Sequence, residues 1–455
     1  MRDEATKALE IAERALAHAS GDAETFVATE RSGFARYAGS QVHQPTLIEN
    51  ATVELRLVRD GYAGVASTNR TDDEGLSELA RRAAEVLASS AENPDLPPLA
   101  PPVPLPEVEG FDEQTAALEP SDQAVLAAAA ISASGAYELY GYFTSGVCEQ
   151  AIASTTGLRA TQRTTDATCL ALAAGDGASG YAIDTSWRAG EIDPAAVADE
   201  AAQKAARTRG AAEAGPARYR AVLEPFAIAE LLYYFSFDTF NGLGLLEERS
   251  FFAGRIGERV FDPTVTLVDD PLDPRGLPRA FDYEGTPKQR TALVEEGVVR
   301  GPVWDRASAA RAGRQSTGHA LPSADRALGA IPTAVSMAPG DAESVDDLAE
   351  VVGDGIYVTR LHYLGVVNPR EGVITGMTRD GTFRIRNGKV AEPLVNLRFT
   401  VSMPDLLADV PGLTQDTRLV SQSDFYDDRW AFAYRVPAIA TGCFNVTGAG
   451  SGPGL

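Results

Sequence analysis

Thr52-Val-Glu-Leu-Arg-Leu-Val-Arg-Asp-Gly-Tyr-Ala-Gly-Val-Ala-Ser67 is the stretch on which the fold class turns. Val53, Leu55 and Leu57 alternate with Glu54 and Arg56, the pattern of a strand with one buried face. Asp60-Gly61 supplies a tight turn, and Tyr62 to Ser67 returns as the second arm of a hairpin. From Asp72 to Ser90 the period becomes helical, with Leu76, Leu79, Ala83 and Val86 on one side. Strands from Glu24 to Arg70 followed by a helix predict α+β architecture.

Working outward, Met1 to Ser20 reads as an amphipathic helix. Ala5, Leu9, Ala12 and Leu16 share a face, and Glu4, Glu10 and Glu13 break up any signal-peptide apolar core. On the other side, seven prolines between Pro94 and Pro106 make a stiff extended segment (93–106). We read it as wrapping its own domain, because a helix (Ser121–Ser132) and a strand series (Tyr137–Thr185) resume beyond it. A helix from Pro194 to Arg207, capped by Asp193, follows. The small, polar Gly210–Gly215 stretch is the expected boundary. The expectation is an N-terminal α+β domain, 1–215, with a mixed sheet and helices, and a C-terminal, mostly antiparallel β domain, 216–455. The second domain contains a helix within Ala221–Phe240 that is hydrophobic all round and hence buried. No tandem repeat is visible.

Composition narrows the function. Against 64 Asp and Glu the 455 residues carry 40 Lys and Arg, and 40 − 64 leaves a net charge of −24. Nucleic-acid binding relies on Lys and Arg displacing counterions, and no basic stripe offsets this charge, so no nucleic-acid partner is expected. No apolar run is long enough to cross a bilayer, so no membrane partner is expected either. Cys148, Cys169 and Cys443 are far apart and form no CxxC pair. They read as buried small hydrophobes in a reducing, cytoplasmic setting.

Candidate chemistry is sparse. The four histidines, His18, His43, His319 and His362, are all out of helical reach of one another, which excludes a HExxH helix. A metal site assembled from His319, His362 and Cys443 stays open. Gly175-Asp-Gly177-Ala-Ser-Gly180 spells GxGxxG, but Tyr181-Ala-Ile-Asp after it looks like a return strand, so a glycine-rich turn is expected. Gly448–Gly454 reads as a mobile terminus. There is no GxSxG elbow. Cys443 could serve as a nucleophile with His319 as base, or simply pack in a strand against Phe444. Asp282-Tyr-Glu284-Gly-Thr286 and Arg379-Asp380-Gly381 are either functional loops or solvated turns.

Taken together, several passages resemble the TldD/PmbA family, also called TldD/TldE or "modulator of DNA gyrase" proteins. They are Glu49-Asn50 leading into Val53–Val58, Phe281-Asp-Tyr-Glu-Gly-Thr286, Ser316-Thr-Gly-His319, Gly355-Ile-Tyr-Val358, the Gly376–Gly381 turn, Phe383–Lys389 and Pro393. The resemblance spans nearly the whole chain. The family's TldD half is a zinc peptidase with HExxxH on a helix, and alignment sets Ala229-Glu230-Leu-Leu-Tyr-Tyr234 against that motif. Ala229 and Tyr234 replace the histidines and only Glu230 is retained. A lone carboxylate among apolar neighbours neither holds zinc nor polarises water. Ser316–His319 and the Phe383–Lys389 hairpin are more similar to the TldE/PmbA half.

The resemblance therefore implies a subunit with no catalytic or metal-binding residue and no cofactor of its own. Zinc and HExxxH would come from a TldD-like partner in a heterodimer that cleaves small or unfolded peptides. Asp282, Glu284, His319 and Arg379 are the expected cavity or interface residues. The alternatives are a metal-independent peptide hydrolase using Cys443, and a scaffolding or binding homodimer.

Overall fold

The computed structural model describes residues 6–423, 425 and 429–450. The first residues of the expected N-terminal helix and the end of the glycine-rich tail lie outside them. The N-terminal part is built on six antiparallel strands: β1 (Asp22–Ala38), β2 (Gln41–Arg59), β3 (Tyr62–Thr68), β4 (Glu138–Ser154), β5 (Arg159–Gly175) and β6 (Ala178–Ser186). Their order across the sheet is β3-β2-β1-β4-β5-β6. The Thr52–Ser67 hairpin is β2 and β3, in register from Val53↔Thr68 to Arg59↔Tyr62. The sheet is antiparallel throughout, not mixed, because each neighbour but one is joined by a tight hairpin; β1 and β4 pair across the middle.

That order contains a duplication. A helix (Lys7–Ala17), three strands and a helix (Asp73–Ser89) are followed by a helix (Pro120–Ala133), three strands and a helix (Pro194–Arg207). All four helices cover one face of the sheet, made by odd-numbered residues of β1, β2, β4 and β5 and by even-numbered residues of β3 and β6. Ala23, Val27, Val53 and Leu55 pack under the first pair, while Leu139, Phe143, Cys169 and Ala171 pack under the second. Two faces differ from their expected form. The first helix buries Ala8, Ile11, Ala12 and Ala15, one position away from the Leu9–Leu16 face. Val86 is 44% exposed, and Leu87 packs in its place. The GxGxxG stretch is the β5–β6 hairpin. Asp176 and Gly177 both have positive φ (50° and 71°), the geometry that a two-residue turn between twisted strands requires.

The opposite face, even-numbered in β1, β2, β4 and β5 and odd-numbered in β3 and β6, meets the C-terminal part. The proline-rich segment runs between them. Leu99 and Ala100 are buried, and Ala100 packs in one cluster with Phe26, Ile152, Ala280 and Phe281. Ala100 also accepts a hydrogen bond from Thr156 Oγ1 at 2.6 Å.

The C-terminal part holds β7 (Ala217–Leu223), β8 (Leu267–Asp269), β9 (Thr291–Glu295), β10 (Val298–Val299), β11 (Val335–Met337), β12 (Gly355–Asn368), β13 (Val373–Arg386), β14 (Lys389–Pro393), β15 (Leu397–Ser402), β16 (Gly412–Ser421) and β17 (Ala433–Ala449). Most pairings are antiparallel; β7–β12 and β11–β17 are parallel. β17 changes partner along its length, and its pairing with β7 closes β7-β12-β13-β15-β17 into a ring. Gly448 and Ala449 belong to this strand, opposite Arg398 and Leu397, so the described part of the tail is ordered β structure because its backbone groups are paired. The apolar stretch from Ala221 starts as strand, and the helix begins at Pro225 and runs to Thr239, with proline at its first position.

Candidate functional site

The Pro225–Thr239 helix carries the positions aligned with HExxxH. Most of it is buried, including Ala229 at 0% exposure. A stripe at helical spacing, Glu230, Tyr233, Tyr234 and Phe237, is only half-buried, so the helix is not enclosed on every side. Tyr233 stacks edgewise on Tyr234 (5.5 Å) and Phe237 (4.8 Å). Burial pushes the Glu230 carboxyl up to about 7, against the pull of the Arg360 guanidinium.

Arg360, on β12, is fixed from two sides. Its Nη1 donates to Asp380 Oδ2 at 2.6 Å, and its guanidinium lies 3.8 Å from the Tyr181 ring centroid. Ser179 Oγ donates to the other Asp380 oxygen at 2.8 Å, tying β6 to this cluster. The Arg379-Asp380-Gly381 stretch is neither a loop nor a turn: it lies within β13. Val358 pairs with Thr382 and Arg360 with Arg379, so Asp380 and Gly381 both oppose Thr359 in a bulge, with Asp380 at φ 55°. The bulge turns the Asp380 carboxylate onto Arg360. An imidazole-free helix with one carboxyl facing a guanidinium does not fit zinc, which needs several converging neutral or anionic donors. Among the described residues no group of three or more His, Cys, Asp or Glu is placed to hold a metal ion.

Asp282, Glu284 and His319 come together elsewhere, against the sheet face opposite the helices. The Asp282–Thr286 stretch is a buried turn, not a solvated one. Asp282 Oδ1 accepts from the Glu284 and Thr286 amides, both at 2.9 Å, and Oδ2 accepts from the Ala320 amide at 2.8 Å. Gly285, at φ 71°, allows the turn to press against the sheet; a Cβ there would lie 2.7 Å from Leu158 Cδ2. Burial, then the nearby Glu284 charge, pushes the Asp282 carboxyl up to about 6.

His319 Nε2 is 2.6 Å from Asp269 Oδ2, and Thr317 Oγ1 is 2.9 Å from Nδ1. Burial and then the Lys288 charge hold His319 below its ordinary value, so the neutral ring donates from Nε2 and accepts at Nδ1. Burial alone would raise Asp269, but His319, Lys288 and the Ala334 amide carry it below the usual carboxylate range. Glu284 accepts from the Arg306 amide at 3.2 Å and faces the buried Glu24 and Arg56 and the half-buried Arg326. Arg379 is not part of this group; it sits across from Arg360 on β13.

Both His319 nitrogens are occupied, so the ring is not a base for Cys443. That thiol is not buried, and it alternates with Phe444, which points into the core. Arg218 donates to Cys443 Sγ from Nε at 3.2 Å and Nη2 at 2.9 Å. Cys148 and Cys169 are buried, and burial pushes both thiols up to about 12. Sequence reasoning missed Arg360, Tyr181, Asp269 and Lys288, and named Asp380 only as part of a loop or turn. Only Asp380 left a local signal, its place before glycine.

A duplicated six-stranded sheet, with helices on one face and a five-stranded ring domain on the other, is the class of α+β protein these features define. Residues 216–448 match the PmbA/TldA metallopeptidase C-terminal domain, 23–87 match domain 1 of that family, and 106–209 match its central domain. The chain belongs to the PmbA/TldA metallopeptidase family. A metalloprotease of Methanothermobacter thermautotrophicus is 30% identical over 38% of this chain and 38% of its own length. A TldD homologue of Haemophilus influenzae is 31% identical over 32% of this chain and 30% of its own. The matched stretches thus span well under half of these relatives. The crystal structure of TldE from Thermococcus kodakarensis has the same fold, with a TM-score of 0.84 at 19% identity, covering 96% of this chain and 99% of that one. Among the described residues no helix is long and apolar enough to cross a membrane.

Proposed function

We propose that this chain is the TldE-like, non-catalytic subunit of a heterodimeric zinc metallopeptidase that cleaves small or unfolded peptides in the cytoplasm. A TldD-like partner supplies HExxxH and the metal. One observation carries the reading: at the helix positions aligned with that motif stand a core alanine, a carboxyl set against Arg360, and a tyrosine packed among aromatic rings. The resemblance to a TldE structure, and relatives named as metalloproteases, support the same division of labour. The chain's own residues then shape and wall the peptide-handling space and activate no water.

Co-expression with a HExxxH-bearing relative is the test. A stable one-to-one complex with zinc and peptidase activity, and neither in this chain alone, is expected. A purified chain that binds zinc stoichiometrically and hydrolyses peptides by itself sinks the reading, as does failure to form any heterodimer.

A further inference from the structure

Between the even-numbered face of β1 and β2 and the 322–325 loop lies a cavity of about 540 Å³. Its walls are of two kinds. Glu30, Glu54 and Asp325 bring carboxylates, and Phe26, Tyr283 and Trp430 bring aromatic rings. Among the described lining residues the cation is Arg429, and its charge is already matched. Its Nε donates to Asp166 Oδ1 at 2.8 Å and Nη2 to Oδ2 at 2.6 Å. Glu30 accepts from the Arg429 amide at 2.6 Å, while Glu54 accepts from the Ser323 hydroxyl and lies 4.0 Å from Arg326, which it shares with Glu284 and Glu24. Glu24, two residues before Phe26 on the same face, is paired with Arg56 at 3.8 Å and adds little charge, so Glu30, Glu54 and Asp325 set the sign of the cavity. The chamber is therefore electronegative as well as aromatic.

Such walls favour a cation. Carboxylates in a partly enclosed site attract it more strongly than in open water, and ring faces add a quadrupole attraction. A metal ion is the poorer fit, since the carboxylates do not converge into a ligand set. The volume falls within the usual range for organic ligands, roughly 300–1,000 Å³, and leaves room for a side chain with backbone on either side. We propose that this cavity binds the ammonium or guanidinium group of a Lys or Arg side chain in an extended peptide. The choice of a peptide rests on the peptidase-complex reading above; the cavity's preference for a cation stands on its own walls.

Binding is measured on the full chain alone, by calorimetry and by Trp430 fluorescence. The probes are an N-acetylated Ala-Lys-Ala amide, its norleucine counterpart and n-butylammonium. The lysine peptide is expected to bind at least about tenfold more tightly than either of the others, and more weakly in high salt. Glu54→Gln and Asp325→Asn are each expected to weaken it several-fold, with Asp325→Asn keeping the test alive if the first variant folds poorly. Equal binding of lysine and norleucine peptides, no binding, or undiminished binding in a folded variant overturns the proposal. If n-butylammonium binds as tightly as the peptide, the peptide assignment falls. Failure of the heterodimer reading shows separately, in co-expression.

Discussion

Glu230 shows how much one side chain's surroundings decide. With its carboxyl pushed up to about 7 by burial, the native state keeps this proton between pH 4.5 and 7 while the unfolded chain has released it. More protons bound in the native state means that stability falls as pH rises through that window and levels off above it. Glu230→Gln is neutral at every pH. Its thermal midpoint should equal that of the parent near pH 4 and exceed it by pH 8; a gap that does not change with pH would remove this account. Glu230 came into view through the resemblance, which sets it against the glutamate of HExxxH. Arg360 was not visible, because what makes it matter is a bulge across the sheet. Asp-Gly signals positive φ whether the chain reverses or merely kinks, and only the partner strand distinguishes the two. Asp269 and His319 are in the same position: fifty residues apart, they meet through folding, and no spacing rule joins them.

The elements themselves were largely legible, since alternation and helical period are local properties of the chain. What stayed hidden was the duplication of helix, three strands and helix, because the two copies share a burial pattern and not their residues. One detail does recur. Gly64 in β3 and Gly180 in β6 each lie under a closing helix, where a Cβ would fall 2.3 Å from the Ala83 carbonyl oxygen and 2.1 Å from that of Ala201. Close helix–strand contact, not a phosphate, is what the last glycine of GxGxxG serves. Gly180→Ala should therefore lose about 1–3 kcal/mol of stability through overpacking. Gly190→Ala, with open space around it and no positive φ, should lose little. Urea denaturation of the two variants measures the contrast, and equal midpoints would show that the helix shifts freely.

At the scale of the molecule, the two parts are joined by buried polar contacts as well as by apolar packing. Arg429, with a side chain 1% exposed, reaches from the C-terminal part to Asp166 on β5 and also donates to Thr144 on β4. Arg429→Met strands a buried carboxylate, and a loss of about 3–5 kcal/mol in global unfolding is expected. A loss below about 1 kcal/mol would mean that water reaches Asp166 and that the junction is looser than drawn. The domain-joining face was illegible in sequence, because Glu24, Phe26 and Glu30 look like the wet side of a strand until something covers them. The ring has a consequence for biosynthesis. Leu223 and Ile439 sit side by side, yet nearly the whole C-terminal part must be translated between them. While the ribosome works through that interval, β7 has one ladder edge unfilled and the apolar helix after it lacks part of its cover. Shielding such a nascent intermediate from its neighbours is a burden that this topology imposes on the cell making it.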